Sequence, residues 1–173
     1  MWLPDSEDVL ELDGLADLSS LMAGMVYGKS LHYVSRGLWS VHDMLLAVLD
    51  HTGPADVWMA TWTITQDPIQ KVLAAMDAGK IRRIWGLFDT RVQIRSEAVW
   101  HYARLNMARI ALTANHAKVT VIENDTWAVV INGSQNYTRN PRIEAGVLTV
   151  SRKVAAFHKQ WIEEKILECE QKP

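Results

Sequence analysis

Apolar and polar positions along this chain follow two rhythms, one helical and one alternating, and the switches between them outline the elements. In "WSVHDMLLAVLDHTG" the apolar positions recur every three or four residues. Ser40 followed by Asp43 resembles a capping box there, and Gly53-Pro54 closes the segment. A shorter helix is expected over residues 15–25. "QDPIQKVLAAMDAGK" predicts a helix with Asp67 as N-cap, Pro68 at the first helical position and Gly79 at the stop. Helical spacing returns over residues 96–108 and again after Ser151, which is placed to cap a last amphipathic helix reaching about residue 167. Strand-like runs fall at 57–63, 81–89, 109–114 and 143–150. Between the last two, residues 116–136, "HAKVTVIENDTWAVVINGSQN", form two alternating runs that predict a hairpin turning at Asn124-Asp125-Thr126. "SLHYVSRG", ahead of the first long helix, reads as a loop.

Helix and strand alternate at first, and strands then dominate before a closing helix. That order predicts an α/β sandwich with a mixed sheet. With no repeat, low-complexity tract or linker, one domain is expected over residues 16–173. It follows an acidic arm, residues 1–15, that carries Asp5, Glu7, Asp8, Glu11 and Asp13.

Composition narrows the function classes. A chain of 173 residues that is 49% hydrophobic and 22% charged is long enough for a real core and unlike a disordered or fibrous sequence. The formal net charge of −2 excludes a bulk polycation, so any nucleic-acid binding must rest on a local patch. The one cysteine, Cys169, permits no intrachain disulfide and sits in a charged stretch unsuited to a nucleophile. The N-terminus lacks the basic-then-apolar order of a signal peptide, and no apolar run approaches the roughly 18–20 residues of a membrane span. A cytoplasmic protein with no stable membrane association is expected.

The hairpin carries the candidate chemistry. Side chains alternate across a strand, so His116 and Lys118 should share a face. An imidazole can attack phosphorus or carry a proton, and an adjacent ammonium offsets charge on the non-bridging oxygens. At the other end of the hairpin Gly133 is expected to let the backbone turn tightly, and Ser134 and Asn136 add small hydrogen-bonding groups. A hairpin returns its end beside its start, so these four polar side chains should converge. Each motif alone is usually a solvated edge or a turn; their joint placement on one hairpin is what points to a site.

Those residues resemble the signature of the phospholipase D superfamily, H-x-K followed by an acid and then G-S-x-N. His116, Lys118, Gly133, Ser134 and Asn136 match as they stand, and Glu144 in "NYTRNPRIEAGVL" matches the acid carried by a following strand. The likeness covers roughly residues 35–165. The acid that closes the first half of the signature falls on Glu123, and the nine residues from Glu123 to Gly133 are three more than the pattern has. Asp125 is the nearest true aspartate, so either residue can stand for it. Glu123 has opposite parity to His116 and should face away from the pocket.

The resemblance implies a phospholipase D-like α-β-α sandwich and a metal-independent phosphodiesterase that works through a phosphohistidine. In that scheme His116 is the nucleophile, Lys118 and Asn136 hold phosphoryl oxygens, Ser134 donates a supporting hydrogen bond, and Glu144 orients and charge-balances the imidazole. It implies no cofactor and no metal. The other histidines, His32, His42, His51, His101 and His158, show no paired ligand spacing. The mechanism needs two histidines and this chain has one motif, so a homodimer with a shared active site is implied. His32 is the remaining histidine to watch, since its loop could fold over the pocket.

Short single-motif members most resemble nucleases, which makes nucleic acid the expected substrate. Another phosphodiester such as a phospholipid, or a catalytically silent binding or scaffold role, stands as the alternative. Arg139 and Arg142 are candidate substrate-binding residues, grouped with Arg152 and Lys153. Further basic groups lie at Lys80, Arg82 and Arg83 and at Arg91 and Arg95. Of eight tryptophans, Trp58, Trp62 and Trp85 fall in strand-like runs and are expected in the core. Trp127, in the hairpin, is the one candidate to stack on a base.

Overall fold

A computed structural model describes residues 18–171. The acidic arm therefore lies outside the described residues. The elements in chain order are α1 (Leu18–Ala23), β1 (Ser30–Val34), α2 (Val41–Thr52), β2 (Ala55–Thr61), α3 (Gln66–Asp77), β3 (Ile81–Asp89), α4 (Arg91–Arg95), α5 (Glu97–Asn106), β4 (Arg109–Thr113), β5 (Val119–Glu123), β6 (Ala128–Gly133), β7 (Ala145–Val150) and α6 (Arg152–Glu170). The strands form one seven-stranded sheet in the order β1-β7-β6-β5-β2-β3-β4. β2, β3 and β4 run parallel; β5, β6, β7 and β1 join antiparallel. The fold is thus a mixed α/β sandwich, as the alternation of elements implies.

Each face of the sheet buries one apolar set. Val57, Met59, Ile84, Phe88, Ile122, Val129, Ile131 and Leu148 pack with residues of α1, α2, α3 and α5. Trp58, Ala60, Leu87, Val119, Val121, Ala128 and Val130 pack against Ala155, Ile162 and Ile166 of α6. Strand parity explains the division: successive residues of β2 and β5 go to opposite layers. Because the central strands are covered on both sides they read as nearly continuous apolar runs.

Local signals account for most boundaries. Ser40 heads α2, and its N–H and hydroxyl both donate to the Asp43 carboxylate, at 3.0 and 2.7 Å. The N-cap of α3 is Thr65 rather than Asp67, which places Pro68 third in the helix. Proline is tolerated there because the first-turn N–H groups have no intrahelical acceptor anyway. The expected loop "SLHYVSRG" contains β1, an edge strand whose Leu31 and Tyr33 point into the core. Five residues are too few for alternation to stand out between two glycine turns, Gly28 and Gly37, both at positive φ. β2 ends at Thr61, two residues before the expected stop, and leaves Trp62 outside the strand.

Candidate active site

The segments that carry the expected chemistry leave the sheet at one end. The register pairs Ala60 at the end of β2 with Val119 at the start of β5, and Val119 with Asn132 near the end of β6. Gly133 pairs with Gly146, and Ala145 with Val34 at the end of β1. This end therefore gathers the C-terminal ends of the parallel strands, the edge at which α/β sheets commonly bind ligands.

His116 and Lys118 lie just before β5, on a loop tied down by Asn115. The buried Asn115 amide donates to the carbonyls of Thr61 (3.2 Å) and Leu87 (3.0 Å), and its oxygen accepts from the N–H of Ala117 (2.9 Å). Its own N–H donates to Asp89 Oδ2 (3.1 Å), while Asp89 Oδ1 takes the N–H of Arg91 (3.0 Å). Asn115 thus fastens the loop to the ends of β2 and β3. Sequence reasoning passed over it; the available signal was an asparagine one residue ahead of His116, where such side chains commonly brace a turn.

His116 is exposed and Lys118 half-buried, and they share a side as parity requires. Lys118 Nζ is 3.4 Å from His116 Nδ1 and donates to the His116 carbonyl at 2.8 Å. Burial pulls the Lys118 pKa below the ordinary lysine range, and the negative charge of Glu144 opposes that shift. Ser134 and Asn136 return to the same end: the N–H of Gly133 donates to the Lys118 carbonyl at 3.3 Å. The Ser134 hydroxyl donates to Glu144, whose other oxygen accepts from Asn140 Nδ2 at 2.8 Å. Thr61 Oγ1 donates to Asn136 Oδ1 at 3.3 Å. Among the described residues the Glu144 carboxylate is bonded to Ser134 and Asn140, while Lys118, not Glu144, stands beside Nδ1 of His116.

Gly133 has a different role from the expected turn. It ends β6 without a positive φ, and a Cβ there would lie 2.8 Å from the Ala145 carbonyl and 3.1 Å from the Tyr33 hydroxyl. Glycine is required by close approach of β7 and β1, not by chain reversal.

The remaining candidates separate by position. Glu123 sits at the far end of β5, five residues beyond Lys118 and so roughly 17 Å away at about 3.4 Å per residue. It pairs with Lys159 and with Arg152 (3.7 Å) of α6, so it is structural, as its parity indicates. Asp125 lies in the same hairpin tip, where its carbonyl accepts from Arg152. Arg152 is therefore at the end opposite His116 and does not rim the site. Trp127 is there too, stacked on Tyr27 with centroids 5.9 Å apart, so it is far from His116. His32 lies within β1, opposite Val147, on the face away from the Leu31 and Tyr33 side chains, and not on a covering loop.

Arg139 is exposed and bound to Asp67 Oδ2 at 2.9 Å, while Arg142 is exposed. A groove of about 370 Å³ lined by Leu38, Ser40, Asp43, Lys71, Arg139 and Asn140 runs up to the Ser134–Glu144 cluster. Trp62, expected in the core, is partly exposed beside His116, with ring centroids 5.6 Å apart. Among the described residues no group of three or more His, Cys, Asp or Glu side chains is placed to hold a metal ion, and no helix is long and apolar enough to cross a membrane.

These features define a mixed-sheet α/β protein with its polar cluster at the sheet's carboxyl edge. That fold is shared with solved structures of low sequence identity. Polyphosphate kinase from Porphyromonas gingivalis superposes with a TM-score of 0.58 at 13% identity over 77% of this chain. TrmBL2, an archaeal chromatin protein whose structure shows a novel mode of DNA binding, gives 0.52 at 16% identity over 86% of this chain. The chain spans 25% and 57% of those two proteins. No family model and no curated protein matches the sequence.

Proposed function

We propose that this chain is a phosphodiesterase that cleaves nucleic acid through a phosphohistidine, with its site completed by a second copy. The observation that carries the reading is the pairing of an exposed imidazole with a half-buried lysine 3.4 Å away, beside Ser134, Asn136 and Glu144 at one sheet end. An imidazole nitrogen of His116 forms a bond to phosphorus as the bond to the leaving oxygen breaks. The imidazole of the second copy gives its proton to that oxygen. It then takes a proton from water as the water oxygen attacks phosphorus, and the P–N bond breaks. Lys118 and Asn136 hold the non-bridging oxygens, and a preformed cation needs no reorganisation as charge develops. Glu144, held by Ser134 and Asn140, balances the Lys118 charge. Arg139 and Arg142 meet the adjoining phosphates. The DNA-binding neighbour and the phosphoryl-transfer neighbour share this fold, which supports the class of chemistry without naming the substrate.

A shared site fits the surface. His116 is exposed, and Leu38 and Ile143 near Glu144 are 60% and 75% exposed, which gives apolar area for self-contact. The test is hydrolysis of bis-p-nitrophenyl phosphate, single- and double-stranded DNA, RNA and phosphatidylcholine in EDTA. His116→Ala should abolish turnover with the fold intact. Mixing it in equal amount with wild type, with subunits exchanging, should leave about one quarter of the activity rather than one half, because each site needs both imidazoles. A halved activity removes the shared site. Cleavage of phosphatidylcholine alone moves the substrate to lipid, and a folded dimer silent on every substrate leaves a binding protein.

A further inference from the structure

The sheet order places the polar groups of this end in a row. Glu144 precedes β7, Ser134 follows β6, His116 and Lys118 precede β5, Trp62 follows β2, and Arg91 and Arg95 follow β3. Neighbouring strands lie about 4.8 Å apart, so the row from β7 to β3 is roughly 19 Å long with His116 at its middle. The two halves differ in chemistry. On the β6–β7 side stand a carboxylate, a hydroxyl and amides. On the β2–β3 side stands a partly exposed indole flanked by two guanidinium groups, with Arg91 Cζ 5.4 Å and Arg95 Cζ 5.9 Å from the Trp62 ring.

Trp62 lies beyond the end of β2, and among the described residues it belongs to neither core cluster. Arg91 is 56% exposed and kept in place by Asp89, 3.7 Å from its Nε. Ile94 on the same short helix is 82% exposed. A tryptophan within 5.6 Å of the reacting imidazole is a flat apolar surface one step from the scissile phosphate. Two cations beside it can leave the ring for a phosphate as a base takes their place, since guanidinium binds both partners well.

We propose that Trp62 stacks the nucleobase adjoining the scissile phosphate while Arg91 and Arg95 receive the next phosphate, which makes the substrate single-stranded nucleic acid. The proposal rests on the phosphodiesterase reading of His116 and deepens it. In a duplex the base is already stacked and paired, and a phospholipid offers no ring; only an unpaired strand matches both halves of the subsite.

The experiment measures binding of a fluorescein-labelled 12-nucleotide single strand by anisotropy, in the His116→Ala background so that no turnover occurs. Trp62→Ala should weaken binding roughly 5- to 150-fold, and Trp62→Phe should recover most of the loss. A set of strands in which a single abasic position is moved along the sequence tests the unaltered Trp62 ring. One position should weaken binding to a similar extent, and that strand should lose little further on Trp62→Ala. A duplex of the same sequence should bind more weakly than the single strand. Equal binding of intact and abasic strands, or a duplex preferred over the single strand, overturns the proposal. So does the absence of any strand binding. Hydrolysis of bis-p-nitrophenyl phosphate by the wild-type chain is followed separately, so the base-stacking claim can fail while the phosphodiesterase reading survives.

Discussion

Replacing Asn115 with alanine tests whether one buried amide holds the loop that carries His116 and Lys118. The substitution removes three hydrogen bonds: two donated to the ends of β2 and β3 and one accepted from Ala117, at 2.9–3.2 Å. At about 0.5–1.5 kcal/mol net for each, the loss of stability is about 3 kcal/mol, with the upper range applying if the freed carbonyls stay buried and dry. For a chain of this size that lowers Tm by roughly 6–12 °C. Activity should fall further than unfolding explains, because displacing reacting groups by about 1 Å can cost on the order of a hundredfold.

Urea melts give the stability term, and hydrolysis of bis-p-nitrophenyl phosphate well below the variant's Tm gives the activity term. A destabilisation under about 0.5 kcal/mol refutes the anchoring role, since that is the size of an ordinary surface change. Full stability loss with unchanged kcat would keep the anchor and remove its link to His116 and Lys118. Asn115→Asp sharpens the reasoning. It keeps an acceptor for Ala117 but turns a carboxylate toward two carbonyl oxygens, so its deficit should shrink as pH falls and the group protonates.

Four other outcomes follow from particular contacts. Gly133→Ala should destabilise by about 1–3 kcal/mol through overpacking against β7 and Tyr33, read by urea melts, and a neutral result would contradict the close approach. Burial lowers the His42 pKa from 6.5, so the unfolded chain binds more protons below that value. Stability from this group is present above pH 6.5 and is lost as pH falls through the lowered value. His42→Gln should flatten that slope in melts between pH 7 and 5; because His158 is also lowered by burial, His158→Gln should remove a separate part of it. The lowered Lys118 pKa places an alkaline loss of turnover below the usual lysine range, and Lys118→Arg, if active, should shift that limb upward; an unmoved limb assigns it elsewhere. Glu123→Gln breaks the pairs with Lys159 and Arg152 far from His116, so it should cost stability while leaving kcat unchanged.

The sequence made the sheet legible wherever an element had clear edges. β3 and the β5–β6 hairpin fall where their alternation and turn residues put them, and Ser151 caps α6 by accepting from the Val154 N–H. β1 was not legible, because a five-residue edge strand owes its existence to pairing with β7, a partner more than a hundred residues away. The same holds for the site. His116, Lys118, Ser134 and Asn136 converge through one hairpin, a local relation that spacing encodes. Trp62 joins them only through the β2–β5 contact, and Asn115, though next to His116 in sequence, takes its anchoring role from the ends of β2 and β3, relations that no spacing encodes. The arginines on α4 were visible as a basic group, but the ring they flank looked like one more core tryptophan because its strand ends at Thr61, two residues before the expected stop.

The two ends of the β5–β6 hairpin place the functional claim on physical ground. At the tip Glu123 is matched by Lys159 and Arg152, Asn124 braces the turn through the Thr126 and Trp127 N–H groups, and Arg152 takes up the Asn124 and Asp125 carbonyls. Charge and backbone are closed there, as stability alone would favour. At the base the cation is half-buried with its pKa pulled down, and its counter-charge Glu144 is engaged by Ser134 and Asn140. The imidazole beside it faces solvent. Burial penalises the Lys118 charge, and the Glu144 carboxylate opposes that penalty. The hairpin therefore closes its tip to hold the fold and keeps an imidazole and an ammonium together at its open base. In the proposed function a phosphodiester takes its place beside that ammonium, with its phosphorus at His116.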